Sequence, residues 1–240
     1  VNAAGFQQGI APGSLVTIYG AGIAPTLKGA VTANTFGFGP LPTKLADVEV
    51  LFGNLQAPIL SVANINNQES VTVQVPFELA APSSVVLTVR VAGGSSTLQN
   101  VPVQAVNPGI FETTDDGGRR YAIIAKENGS FVTPSNPASR TERLRMFLTG
   151  LGQATPGAFT NRTGTAGQTA FYPVIVGVND AGLDNPFTVT LSPTMIGVWE
   201  ITFQLNQTTP QGQQIKMSVS VTGPDGNRYF SNTTAIAAVN

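Results

Sequence analysis

Apolar and polar residues alternate in short runs along this chain, and the runs come in an order that occurs twice. Residues 10–25, IAPGSLVTIYGAGIAP, hold the run Val16-Thr17-Ile18-Tyr19, which ends in glycine and a proline-closed loop. Residues 143–156, RLRMFLTGLGQATP, hold Leu144-Arg145-Met146-Phe147 with the same exit. A period of two that stops at Gly and Pro predicts a strand running into a turn.

The same reading extends along the chain. Val48, Val50 and Phe52 alternate before Gly53-Asn54, residues 59–62 give a further short strand, and residues 71–75 alternate cleanly before Pro76. In residues 85–91, Val85, Leu87, Val89 and Val91 are placed on the core side, with Val86, Thr88 and Arg90 opposite. Gly93-Gly94 turns into a closing strand near residues 101–106. Asn128-Gly129, set between residues 121–125 and Phe131-Val132, predicts a hairpin with a type I′ turn.

The second run then repeats the first. Val16 and Leu144, Val48 and Val174, Val71 and Ile201, and Leu87 and Met217 stand 128, 126, 130 and 130 residues apart. Ordered agreement at one spacing marks an internal repeat. The sequence therefore predicts an all-β fold of two tandem immunoglobulin-like β-sandwich domains, residues 1–106 and 107–240. Asn107-Pro108-Gly109 is the linker, and a β-hairpin opens the second domain. Two loops occupy corresponding places, residues 25–42 with Phe36 and Phe38, and residues 156–172. The first is long enough either to bind something or to pack on its own aromatics. Residues 1–9 carry Phe6 as their large apolar anchor.

Composition supports the strands. Among 240 residues there are 26 Gly and 17 Pro, and only 10% are charged, for a net charge of -1. That balance carries no electrostatic footprint for nucleic acid or an anionic membrane surface. No apolar run is long enough to span a bilayer. The chain has no cysteine and no histidine, which excludes serine–histidine triads, cysteine nucleophiles, disulfides and the usual zinc or copper sites. It starts at Val1 rather than Met, which fits a processed secreted chain or a piece of a longer protein.

Several motifs carry a family resemblance. They are Asn2-Ala3-Ala4, residues 10–20, Leu41-Pro42 with Val48, Gln74-Val75-Pro76 and Asn107-Pro108-Gly109-Ile110-Phe111. Together they resemble an uncharacterised C-terminal domain family of secreted acidobacterial proteins, and Asn136-Pro137-Ala138 and Thr149-Gly150-Leu151-Gly152 resemble its second half. The first half alone resembles immunoglobulin-like IPT/TIG domains, with Gly20-Ala21-Gly22 after the opening strand. The resemblance implies an extracellular β-sandwich of unassigned role and supplies no catalytic residue.

Candidate chemistry is sparse. Asp115, Asp116, Asp180, Asp184 and Asp225 lie in Gly- or Asn-rich turns, where the alternatives are turn capping and calcium ligation. Arg140, Arg143 and Arg145, with Arg119 and Arg120, form the basic concentration, read as a solvated strand face or a contact for an acidic glycan or partner chain. Asn128, Asn161, Asn206 and Asn232 begin Asn-x-Ser/Thr sequons, expected to be unmodified. Lys28, Lys44, Lys126 and Lys216 leave a lysine–asparagine isopeptide link open. Trp199 shares a parity with Ile201 and Phe203, which places it in a core rather than on a sugar-binding surface. No catalytic, cofactor-binding or metal-ligating residue is assigned.

The expectation is a non-enzymatic extracellular structural protein that self-associates, as a filament or surface-layer subunit joined by β-strand addition. The alternative is a carbohydrate- or protein-binding adhesion module using loops 25–42 and 156–172. Neither reading involves nucleic acid, a cofactor or membrane insertion.

Overall fold

The computed structural model describes residues 1–33 and 39–239. Among these residues there is no helix. Strands of four or more residues are β1 (Leu15–Tyr19), β2 (Gly29–Thr32), β3 (Val48–Phe52), β4 (Ile59–Ile65), β5 (Gln68–Gln74), β6 (Ser83–Val91), β7 (Gly94–Val103), β8 (Leu144–Thr149), β9 (Val174–Val178), β10 (Thr188–Leu191), β11 (Trp199–Phe203), β12 (Gly212–Thr222) and β13 (Thr234–Val239).

In the first half, one antiparallel sheet has the order β1, β5, β4, β2. The other has β3, β6 and β7, with Lys44–Leu45 and Leu55–Gln56 paired to β3. Val16, Val62, Val71 and Val73 of one sheet and Val48, Val50, Phe52 and Leu87 of the other share a buried cluster. The second half repeats this plan. β8, β11 and β10 lie side by side in one sheet, and β13, β12 and β9 in another. Leu144, Met146, Leu148, Ile201 and Phe203 face Val176, Val219, Val221 and Ile236. Trp199 is fully buried in that cluster, as its parity predicts.

The repeat extends to strand register. Val16 opposes Val73 as Leu144 opposes Phe203, and Ile18 opposes Val71 as Met146 opposes Ile201. In the other sheets Phe52 opposes Leu87 as Val178 opposes Met217. A one-residue slip would turn every apolar side chain outward, so the same alternation gives the same pairing twice.

Three local expectations are corrected. The hairpin at residues 124–132 is present, but its turn is not type I′. Only Gly129 has positive φ, at 83°, and the Lys126 N–H bonds the Ser130 carbonyl at 2.8 Å. Asn128 Oδ1 instead accepts from the Ser130 amide at 3.0 Å, which favours a three-residue loop. Phe6 is 54% exposed and anchors nothing; residues 1–9 are held by Asn2, 1% exposed, and Ala4. The loop at residues 25–42 includes strand β2, while Phe36 and Phe38 lie outside the described residues.

Both ends of the described chain are held by the chain itself. Thr17 N–H donates to the Val1 carbonyl at 2.9 Å and Ala3 N–H to the Leu15 carbonyl at 3.0 Å, so residues 1–3 cover the free side of β1. β13 lies between β12 and Ala138–Ser139. Order at these ends has an intramolecular cause and needs no strand from a neighbour.

Candidate functional site

Potentially reactive groups are scattered, and most of those singled out by the sequence are already engaged. Asp115 Oδ1 accepts from the amides of Arg119 and Gly117 at 2.9 and 3.0 Å, and the Arg119 contacts come first in holding its carboxyl below the ordinary 3.8. Asp225 accepts from the Tyr229 hydroxyl and the Asn227 side chain, both at 2.8 Å; the Tyr229 bond leads in lowering Asp225 and raises the Tyr229 phenol above 10.0. Asp184 accepts from Asn206 at 3.1 Å, and Asp180 lies 4.0 Å from Lys216. These four aspartates work as caps and short-range partners, whereas Asp116 is exposed in the turn beside Asp115. Among the described residues they do not gather into a group of three or more metal-ligating side chains.

The basic concentration is dispersed by pairing. Arg119 meets Asp115, Arg120 meets Glu112, Arg143 meets Glu127 and Arg145 meets Glu200, at 2.8 to 3.9 Å. Arg140 donates to the Thr209 carbonyl at 2.7 Å. Lys126, the lysine with the least exposed side chain among the ion pairs, donates to Pro137 O and Glu142 rather than to an asparagine. The sequon asparagines Asn161 and Asn232 are structural, since Asn232 binds both the amide and the carbonyl of Ile110 at 2.8 and 3.1 Å.

Buried polar groups collect where the halves meet. Asn107, the expected linker residue, is 7% exposed. Its Nδ2 donates to Gly9 O at 2.8 Å, its carbonyl accepts from Asn2 Nδ2 at 2.6 Å, and its amide donates to Gly150 O at 2.8 Å. Thr149 Oγ1 accepts from the Leu15 amide at 2.8 Å and donates to Gly197 O at 2.6 Å. Phe77, from the first half, packs in the second cluster and its amide donates to Thr160 Oγ1 at 2.8 Å. These groups find partners across the seam, and such networks fix one mutual arrangement. Gln74 is the exception: its Oε1 accepts from the Asn161 amide at 2.7 Å, and its buried Nε2 has no partner.

This seam brings the two predicted loops together. Asn161 accepts from the Leu41 amide at 2.7 Å and donates to the Leu41 carbonyl at 2.8 Å. Beside that contact is an apolar cleft of about 410 Å³, lined by Leu15, Leu41 and Leu60 from the first half and Phe111, Ile123, Phe131, Phe147, Met195 and Val198 from the second. Phe131 and Met195 are 55% and 37% exposed. Arg145 stands over the Phe147 ring at 5.7 Å. The cleft is shaped for apolar contact and holds no acid–base pair.

A second opening lies along β7. A groove of about 440 Å³ runs between β7 and the end of β1, lined by Ile18, Tyr19, Leu87, Val89, Val91 and Leu98 among others. Leu98 sits opposite Leu87 in the ladder and so points to the same side of the sheet. Leu87 is 8% exposed and Leu98 61%. β7 therefore projects past the strand that covers its neighbours. Neither the cleft nor this overhang is visible in the sequence pattern, although the long run of uncharged Ser, Thr and Gln in residues 94–100 is.

No family model matches the chain. No curated protein matches it either.

Proposed function

We propose that this chain is a non-enzymatic extracellular structural protein, two tandem immunoglobulin-like sandwiches over residues 1–106 and 107–240, that associates with further copies of itself by β-strand addition. The observation that carries this reading is the edge of β7, unpaired among the described residues, long, uncharged and bordered by a groove that leaves Leu98 exposed. Strand addition supplies main-chain hydrogen bonds from such an edge and covers the groove beside it. The resemblance to domains of secreted proteins supports a location outside the cell, and a chain without cysteine relies on core burial there. A filament or surface layer follows when a second contact propagates the first. Light scattering and negative-stain images of the purified chain test this: concentration-dependent assemblies are expected, and a chain that stays monomeric at millimolar concentration overturns it.

One observation favours a second reading, an adhesion module for carbohydrate or protein. Leu41 and Asn161 join loops 25–42 and 156–172 at the rim of the apolar cleft. Clefts between packed units are common binding sites. Under this reading Phe131→Ala with Met195→Ala abolishes binding on a glycan or surface-protein array without lowering the melting temperature.

A further inference from the structure

Sheet margins are where a β protein is exposed to unwanted pairing, and natural proteins shorten, charge or cover them. Among the described residues most margins of this chain follow that rule. Residues 1–3 cover β1 from Leu15 to Thr17, and β2 has four residues. The other margins are strands of two or three residues, including Lys44–Leu45, Ala154–Thr155, Ala181–Gly182 and Arg228–Phe230. β7 is the exception. It has ten residues, those from Gly94 to Asn100 are all exposed, and it carries no charge and no proline before Pro102. Asn100, with φ at 56°, marks a bulge opposite residues 85–87, so the regular edge is residues 94–99.

The repeat provides an internal control. In the second half, the strands that pair with β12 in the place of β7 are split into Arg228–Phe230 and β13. A charge guards the first, and Ala138–Ser139 lies in parallel along the outer side of the second. Among the described residues the first half has the single parallel bridge from Ile10 to Val103, and none of them covers the remainder of β7 in the same way.

We propose that β7 is a docking edge for β7 of a second copy, paired antiparallel about a twofold axis so that two five-stranded sheets become one. This inference rests on the self-association reading and names its contact. The strand's own composition selects the occupant. In an antiparallel twofold pair every residue of the strand faces a residue of the same strand, and those near the axis face themselves, so any charge there meets its own kind; β7 has none to oppose. Ser95, Ser96, Thr97 and Gln99 suit cross-strand pairing, and one contact covers Leu98 of both copies. Twofold pairing closes on itself, so it makes a dimer, and a filament needs one further contact.

The absence of native cysteine allows a clean test. Single variants Ser95→Cys, Ser96→Cys, Thr97→Cys, Leu98→Cys and Gln99→Cys are oxidised in otherwise native chain, alongside sedimentation velocity of the wild type and of Thr97→Lys. Twofold pairing predicts covalent dimer with one sharp maximum, because only residues near the axis bring two sulfurs within disulfide reach. It predicts at least about tenfold weaker association for Thr97→Lys, with an unchanged melting temperature. All five positions are exposed, so loss of one variant to misfolding leaves the series readable. Association with flat cross-linking, or undisturbed by Thr97→Lys, overturns the edge assignment and leaves self-association standing. A wild type that is monomeric, including one whose edge takes a strand only from a different protein, overturns both.

Discussion

Thr149 shows how much of this molecule rests on single polar side chains. Its hydroxyl serves the Leu15 amide and the Gly197 carbonyl at once, so Thr149→Val leaves two buried groups without partners. Unfolding in urea should show a loss of about 1–3 kcal/mol. Next to it, Gly150 has φ at 83° and a Cβ there would collide with the Asn107 carbonyl oxygen. Gly150→Ala should therefore cost more than the ~1 kcal/mol of an ordinary glycine replacement at an unsuitable φ. At the surface, Asp225→Asn removes the carboxylate that raises the Tyr229 phenol, and titration by NMR should find the Tyr229 pKa fallen toward 10.0. The roles of Thr149 and Gly150 are not readable from sequence. Both sit in an ordinary strand-and-turn motif, and their partners are far away along the chain.

At the scale of elements, alternation carried most of the information. Residues 71–75 and 85–91 were assignable to faces because a half-buried strand has period two, and the matching run around Trp199, Ile201 and Phe203 placed Trp199 in the core. The turn at Asn128-Gly129 departs from type I′ because a side-chain hydrogen bond within the loop outweighs the dipeptide's preference. The overhang of β7 was hidden for a different reason: periodicity says which face a residue takes and not whether another sheet reaches far enough to cover it. Val89 and Val91 are on the expected side yet remain half-exposed. Amide hydrogen exchange reads this directly. Outward-facing amides of residues 94–99 should exchange quickly in dilute solution and become protected as concentration rises, while β5 amides, paired on both sides, stay protected throughout.

For the whole molecule, the seam between the halves decides whether they act as one body. Asn107 was legible as a turn-forming linker, but its burial depends on Asn2, Gly9 and Gly150 converging on it. One contact of the seam carries a titratable group, the Glu78 carboxylate that accepts from Thr160. Burial pushes the Glu78 carboxyl up, and bonds from the hydroxyl and amide of Thr160 outweigh it, leaving it below the ordinary 4.5. A carboxylate depressed on folding adds stability that is full above 4.5 and disappears as the pH falls through the lower folded value. Melting temperature should thus drop more between pH 5 and pH 3 in the wild type than in Glu78→Gln, and equal slopes would remove Glu78 from the seam's energetics.

Under the proposed function, copies of this chain meet along β7. Sedimentation velocity over a wide concentration range, run on the wild type beside Thr97→Lys, tests it most directly. A wild-type boundary that shifts from monomer to dimer or larger species with rising concentration, with the variant remaining monomeric, is the result expected; a wild type that sediments as a monomer throughout, or a variant that assembles equally well, contradicts it.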